Sequence, residues 1–234
     1  MLLPGAAASS ATLEEALTIA RTSKFNEGFA IGLGSIIPNV SEDALPDILS
    51  AAATNIGSTR NFGFALGHVF SLLDSKRRQE ILKVMQNKGD FLIGLGEGLG
   101  HTFPSAGSRP LEEAMHIVGP LNALTRGAAR GITESFVHLN LTQVLAMLEY
   151  ATTSNSEFGE VLGEGLGEKF ASLDEEKQSI ILNALQKNNN FSRTFAKIIQ
   201  KNIEYMSPQK GRRIMALVQK FSNADPTFEE KDGE

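Results

Sequence analysis

The sequence predicts an all-α protein, a right-handed α-solenoid of about six to seven stacked 33-residue helical hairpins. Two observations carry that expectation: self-similarity at a period of about 33 residues runs along the chain, and each period holds two segments whose apolar residues have helical rather than strand spacing. A third observation bounds it. Of 234 residues, 41% are hydrophobic and 21% charged, which is enough apolar surface for a sizeable core and too little charge for a wholly disordered chain.

The first segment of each period is rich in glycine. Phe91 to Phe103 reads FLIGLGEGLGHTF and Phe158 to Phe170 reads FGEVLGEGLGEKF, with matching Phe, Leu and Gly positions. Setting Phe25, Ser58, Phe91, Leu124, Phe158 and Phe191 in one column gives steps of 33, 33, 33, 34 and 33. The ninth position after that column is Gly34, Gly67, Gly100, Thr133, Gly167 and Gln200, and the twelfth is Ile37, Phe70, Phe103, Phe136, Phe170 and Ile203. Residues 91, 95, 99 and 103 keep the i, i+4 step of a helical stripe.

The second segment opens on a residue suited to cap a helix: Ser41, Asp74, Ser108, Asn140, Asp174 and Ser207. Side-chain oxygens of these residue types accept hydrogen bonds from first-turn amides that have no partner within the helix. Seven residues on come apolar pairs such as Ile48-Leu49, Ile81-Leu82 and Ile181-Leu182. An earlier copy of the same helix is expected from about Ser9, with Ala16 and Leu17. One such hairpin cannot bury its own apolar face, so successive hairpins must stack. The single resulting domain is expected over 11–222, between a flexible N-terminus at 1–10 and a flexible acidic tail at 223–234.

Leu66-Gly67-His68-Val69-Phe70, Leu99 to Phe103 and Leu166 to Phe170 resemble the L-G-x-x-Y stretch in the first helix of tetratricopeptide repeats. The resemblance to this and to HEAT-like solenoids implies a stack of helical hairpins and a habit of binding partners. It transfers no functional residue.

Fifteen of the 22 glycines lie in the glycine-rich segments. Each one inside a helix costs roughly 0.8 to 1.0 kcal/mol relative to alanine, a loss that packing must offset. On a helical wheel Gly94 and Gly98 flank the Leu95 and Leu99 ridge on one side, Gly96 and Gly100 on the other. Close approach of neighbouring helix backbones is therefore expected. Gly98→Leu should wedge them apart, whereas Gly98→Ala should restore helix propensity at little cost. The string GLGEGLG is not read as a phosphate cradle, because no strand precedes it and no Gly-Lys-Ser/Thr follows.

Opposite the leucine ridge, positions 2, 6 and 10 after the first column change from unit to unit. They run Glu27, Ile31, Ser35; Arg60, Phe64, His68; Ile93, Glu97, His101; Arg126, Arg130, Glu134; Glu160, Glu164, Glu168; and Arg193, Lys197, Lys201. A constant scaffold carrying a changing exposed ladder is what a solenoid binding face requires. The candidate site for a protein partner is thus Ile31, Phe64, His68, Ile93, Glu97, His101, Arg126, Arg130 and Glu164.

The net charge of −5 is unevenly spread: residues 187–222 carry eight basic side chains and one acidic, and 223–234 carry five acidic and one basic. Arg193, Lys197, Lys201, Arg212 and Arg213 form a basic patch that supports an alternative, binding of a polyanion or nucleic acid, with the tail as a screen or a solubilising end. Nucleic acid ranks behind protein because the whole chain is acidic and the patch lacks interleaved aromatics for base stacking.

Chemistry has few candidates. Without cysteine there is no thiol nucleophile or thiolate metal cage, and no nucleophile elbow, H-E-x-x-H or paired-acid signature occurs, so no enzyme, metal or cofactor is expected. His68, His101, Glu134 and Glu168 share a column, but a repeat spacing of about 10 Å opposes convergence on metal bonds of about 2 Å. Gly119-Pro120 should stop one helix near Val118 and start another near Pro120. A bend there, in the fourth unit, is the third reading, a small-ligand or enzymatic site. No stretch reaches the roughly 20 apolar residues of a membrane helix and Met1 to Ala8 lacks a targeting pattern, so a cytoplasmic chain without membrane insertion is expected.

Overall fold

The computed structural model describes residues 27–54, 59–118, 122–153, 156–185 and 190–203, with short pieces at 208–209, 211–212 and 214–216. Among the described residues every regular element is helical, and the helices pack against one another. The glycine-rich segments form α1 (Glu27–Ile36), α3 (Thr59–Val69), α5 (Gly89–Ala106), α7 (Asn122–Ser135), α9 (Ser156–Lys169) and α11 (Asn190–Asn202). The cap-led segments form α2 (Leu45–Thr54), α4 (Ser75–Met85), α6 (Arg109–Val118), α8 (Leu141–Thr153) and α10 (Glu175–Ala184). The earlier helix copy, both termini and Arg213 lie outside the described residues.

The repeat columns become the core. Phe91, Leu124, Phe158 and Phe191 of the first column are fully buried, as are Ile37, Phe70 and Phe136 of the twelfth. Four glycine-rich helices tighten at their ends into a 3-10 turn that begins on the twelfth-column residue: Ile37–Asn39, Phe70–Leu72, Phe136–His138 and Phe170–Ser172. There the N–H of Val40, Leu73, Leu139 or Leu173 donates to the carbonyl of that residue, an i to i+3 closure that turns the chain toward the next helix. The third unit has one extra residue between Phe103 and Ser108. It is absorbed by extending α5 through Pro104 to Ala106 and stopping it at Gly107, whose φ of 73° suits glycine and whose N–H donates to the Phe103 carbonyl.

The caps form as expected at three positions. Asp74 and Asp174 accept from the backbone N–H of Arg77 and Lys177 at 2.9 and 2.8 Å. That bond holds the Asp174 carboxyl below its ordinary pKa. Asn140 and Gln143 cap reciprocally, each side-chain oxygen accepting from the other's N–H at 3.0 Å. Ser41 departs from the pattern: α2 begins at Leu45, after a turn over Glu42–Ala44, with Pro46 in the first turn where no amide donor is needed.

The residue three past the cap has a second role, absent from the sequence reading. Arg77 donates to the carbonyls of Ile37 and Pro38 at 3.4 and 3.2 Å, Gln143 to those of Phe103 and Pro104 at 3.4 and 3.2 Å, and Lys177 to that of Val137 at 2.7 Å. Each side chain reaches back to the preceding unit and donates to carbonyls at a helix end, where Ile37 and Phe103 already accept one backbone N–H and Pro38, Pro104 and Val137 gain a donor. Where the third unit has buried Leu111 instead, Arg78 reaches the Ser71 carbonyl at 3.1 Å and pairs with Glu113 of α6.

The glycine-rich helices form one layer, each packing on the next. An added Cβ would lie 2.3 Å from the Phe91 carbonyl oxygen at Gly63, 1.9 Å from that of Arg60 at Gly94, and 2.2 Å from that of Leu124 at Gly96. Gly94 and Gly98 face the preceding helix and Gly96 and Gly100 the following one, as the wheel predicts. The expected tolerance of Gly98→Ala is overturned, because even one methyl would sit 2.2 Å from the Phe64 carbonyl oxygen. The contacts also follow a pairing rule: the ninth-column residue of one helix meets the residue seven past the first column on the next. The pairs are Gly34 with Ala65, Gly67 with Gly98, Gly100 with Gly131, Thr133 with Gly165, and Gly167 with Ile198. Every pair contains a glycine. Where Thr133 replaces the column glycine, its side chain fills the space opposite Gly165, and the α7–α9 seam is the sparsest of the layer.

The break expected at Gly119-Pro120 is present, and the bend expected there falls on residues 119–121, outside the described ones. α6 ends at Val118 and α7 begins at Asn122. The break therefore coincides with the ordinary passage from a second helix to the next first helix, and it interrupts no element of the fourth unit.

Candidate functional site

The ladder lies on the face of the glycine-rich layer away from the leucine ridge, but its rungs are unequally exposed. Ile93, Glu97 and His101 of α5 and Phe64 of α3 are half-buried, while Ile31 is 42% exposed and the ladder residues of α7, α9 and α11 are open to solvent. The tightest seams explain this. With glycine facing glycine on both sides of α5, the flanking helices come close enough to shield its outward residues.

Close spacing lets rungs of neighbouring units pair. The Arg60 guanidinium grips Glu97 through two bonds, Nε to Oε2 at 3.0 Å and Nη2 to Oε1, and Arg130 Nη1 approaches the same Oε1 at 4.0 Å. Hydrogen bonding to Glu97 outweighs burial and raises the Arg60 pKa. Arg126 lies 3.6 Å from Glu157, and His101 Nε2 lies 2.7 Å from Glu134 Oε2. The sequence held the signal, opposite charges at ladder positions one unit apart, but sequence alone does not say which side chains lean together.

The aromatic rungs cluster as well. The Phe64 ring stands edge-on to His68 and His101 with centroids 4.7 and 5.3 Å apart, and the two imidazoles are 5.6 Å apart. The shared column thus brings these histidines nearer than the helix spacing suggested. Among the described residues no three metal-ligating side chains converge. Burial pushes His68 below its ordinary pKa, and the charge of His101 pushes it further. A histidine whose folded pKa is depressed favours folding above its unfolded pKa of about 6.5 and withdraws that support as pH falls through the folded value. Melting temperature should therefore fall as pH drops below about 6.5, and His68→Gln should flatten that decline. Parallel melting curves for the two proteins between pH 7.5 and 5 would refute the assignment.

Glu27, Ile31, Arg60, Asn61, Phe64 and Glu97 line an open cavity of about 420 Å³ between α1 and α3, with Ile31 and Phe64 as its apolar residues and the Arg60–Glu97 pair on its rim. Beyond α7 the ladder changes character. Glu160, Glu164 and Glu168 on α9 and Lys197 and Lys201 on α11 form no ion pair among the described residues. Of the basic patch, Arg193, Lys197 and Lys201 share the exposed face of α11, and Arg212 lies exposed on a later helical piece with Nε donating to the Pro208 carbonyl at 3.3 Å. No described helix is long and apolar enough to cross a membrane. No protein-family model matches the chain, and neither the curated proteins nor the solved structures contain a match.

Proposed function

We propose that the protein is a non-enzymatic scaffold or adaptor, a right-handed α-solenoid that binds a protein partner along the ladder of its glycine-rich helices. The observation carrying this reading is the division of labour within α3, α5 and α7: glycines lock the backbones together, and the residues between them build an outward surface that differs at every unit. Glycine contact sets the first helices closer than the second helices, whose mutual contacts are sparser. A stack with unequal layers curves toward its tighter layer, which puts the ladder on the concave side where an elongated partner gains contact with several units. No reaction is assigned, because the ladder's carboxylates and imidazoles pair with one another or stand open to water.

Affinity capture from native lysate tests this with three baits: the natural chain, an Ile31→Ser/Phe64→Ser double variant, and Leu145→Ser on α8. Leu145 is 55% exposed on the other layer. A stoichiometric partner retained by Leu145→Ser and lost by the ladder variant is expected. Equal retention by both variants would move the binding face off the ladder.

A further inference from the structure

On the reading of the ladder as a partner-binding face, the geometry points to an extended segment of another protein as its occupant, with a fixed chemical order: an apolar side chain, a basic block, then an acidic block. The apolar end is set by the cavity between α1 and α3, where exposed Ile31 and half-buried Phe64 offer hydrocarbon beside the mutually paired Arg60 and Glu97, with Glu27 at the margin. A partner side chain seated there meets Ile31 and Phe64 first, with the Arg60–Glu97 pair at the rim.

The two blocks are set by a contrast within the ladder. From α3 to α7, opposite charges on adjacent helices pair across the seams, through Arg60 and Arg130 with Glu97 and through His101 with Glu134. On α9 and α11 the same ladder positions carry Glu160, Glu164 and Glu168 beside Arg193, Lys197 and Lys201, yet the three glutamates and two lysines take no ion-pair partner among the described residues. Thr133 stands in the α7–α9 seam, the sparsest of the layer, while the α9–α11 seam is close at Gly163, whose added Cβ would lie 2.5 Å from the Phe191 carbonyl oxygen. The three glutamates and two lysines are exposed and stay open to an outside partner.

Helix spacing of about 8 to 10 Å fixes the order in residues. From the cavity to α9 is about three and a half units, roughly 30 Å or nine residues of extended chain at about 3.3 Å each, and from α9 to α11 is about three residues more. The chain's own tail does not fit both rows. Residues 223–234 hold Asp225, Glu229, Glu230, Asp232 and Glu234 but one cation, Lys231, and would set acid against the α9 glutamates.

Fluorescence-anisotropy titration of the full chain tests the order with synthetic peptides. The matched peptide carries one leucine, a nine-residue Gly/Ser spacer, three lysines and three aspartates, made in both chain directions. Its control interchanges the charged blocks, and the leucine prevents the control from matching by reversal. The natural chain should bind one matched peptide about tenfold more tightly than the control, as several exposed ion pairs acting together would give. A six-site variant with α9 and α11 charges exchanged, Glu160→Lys, Glu164→Lys, Glu168→Lys, Arg193→Glu, Lys197→Glu and Lys201→Glu, should invert that preference. Equal binding of both block orders would overturn the inference and leave the ladder reading intact, provided leucine-to-serine peptides bind more weakly. No dependence on either leucine or block order would sink both. A tenfold gain on deleting residues 224–234 would make the tail the occupant, and a matched peptide that dissociates a dimer of the chain would make it a second copy. Either result overturns an outside segment.

Discussion

Gly94→Ala is expected to lower the unfolding free energy by about 3 kcal/mol, although alanine is the better helix former by roughly 1 kcal/mol. The new methyl would lie 1.9 Å from the Arg60 carbonyl oxygen and 2.9 Å from the Phe64 backbone nitrogen, and neither is the free end of a flexible side chain. Two helix backbones must therefore separate, and the seam loses dispersion contacts and Cα–H···O contacts along its length. Gly32→Ala is the internal control. Gly32 lies in α1, is exposed, and has no described atom within 4 Å of the position its Cβ would take, so only the propensity gain of up to about 1 kcal/mol remains. Urea denaturation of the two variants should give shifts of opposite sign. A stabilised Gly94→Ala would contradict the backbone contact between α3 and α5.

Phe136→Ala should cost about 3 to 5 kcal/mol, the usual range for removing a buried phenyl ring. Phe136 is fully buried where α7 passes into its 3-10 turn, and its carbonyl accepts from the Leu139 N–H, so the side chain anchors the corner that aims α8. Phe64→Ala removes the same ring from a half-buried rung of the ladder and should cost much less while weakening partner binding. Thermal melts separate the two. Equal losses would mean that Phe64 belongs to the core and not to the surface.

The helices and their phase were legible because burial depends on periodicity, and this chain states its period six times over. Phe91, Leu124, Phe158 and Phe191 were aligned by spacing alone, and all are fully buried. The glycine faces were legible for the same reason, since a helical wheel fixes direction. Depth of approach was not. Whether Gly98 leaves room for a methyl is decided by tenths of an ångström between backbones, and the sequence reading misjudged it. Pairing was hidden as well. Arg60, Glu97 and Arg130 were assigned to the ladder, but their mutual grip depends on how near glycine draws α3, α5 and α7 together. The ties made by Arg77, Gln143 and Lys177 are hidden in the sequence because three different residue types share one task, donating a hydrogen bond, and unlike side chains conceal like chemistry. The break at Gly119-Pro120 was legible because proline lacks an amide donor and disfavours helix at the residue before it.

The unequal seams have a mechanical consequence. Where Gly67 meets Gly98 and Gly100 meets Gly131, the parts in contact are helix backbones, which present no side-chain rotamers to yield and make a stiff joint. At the seam holding Thr133 the load passes through a side chain, whose rotamers and rocking supply slack. Tension drawn across the layer is then shared unequally, with extension collecting between α7 and α9 while α3, α5 and α7 move as one stiff plate. The cavity beside Phe64 lies at the stiff plate and the open charged rows on the far side of the slack, so a segment bound at both ends would span the elastic α7–α9 seam.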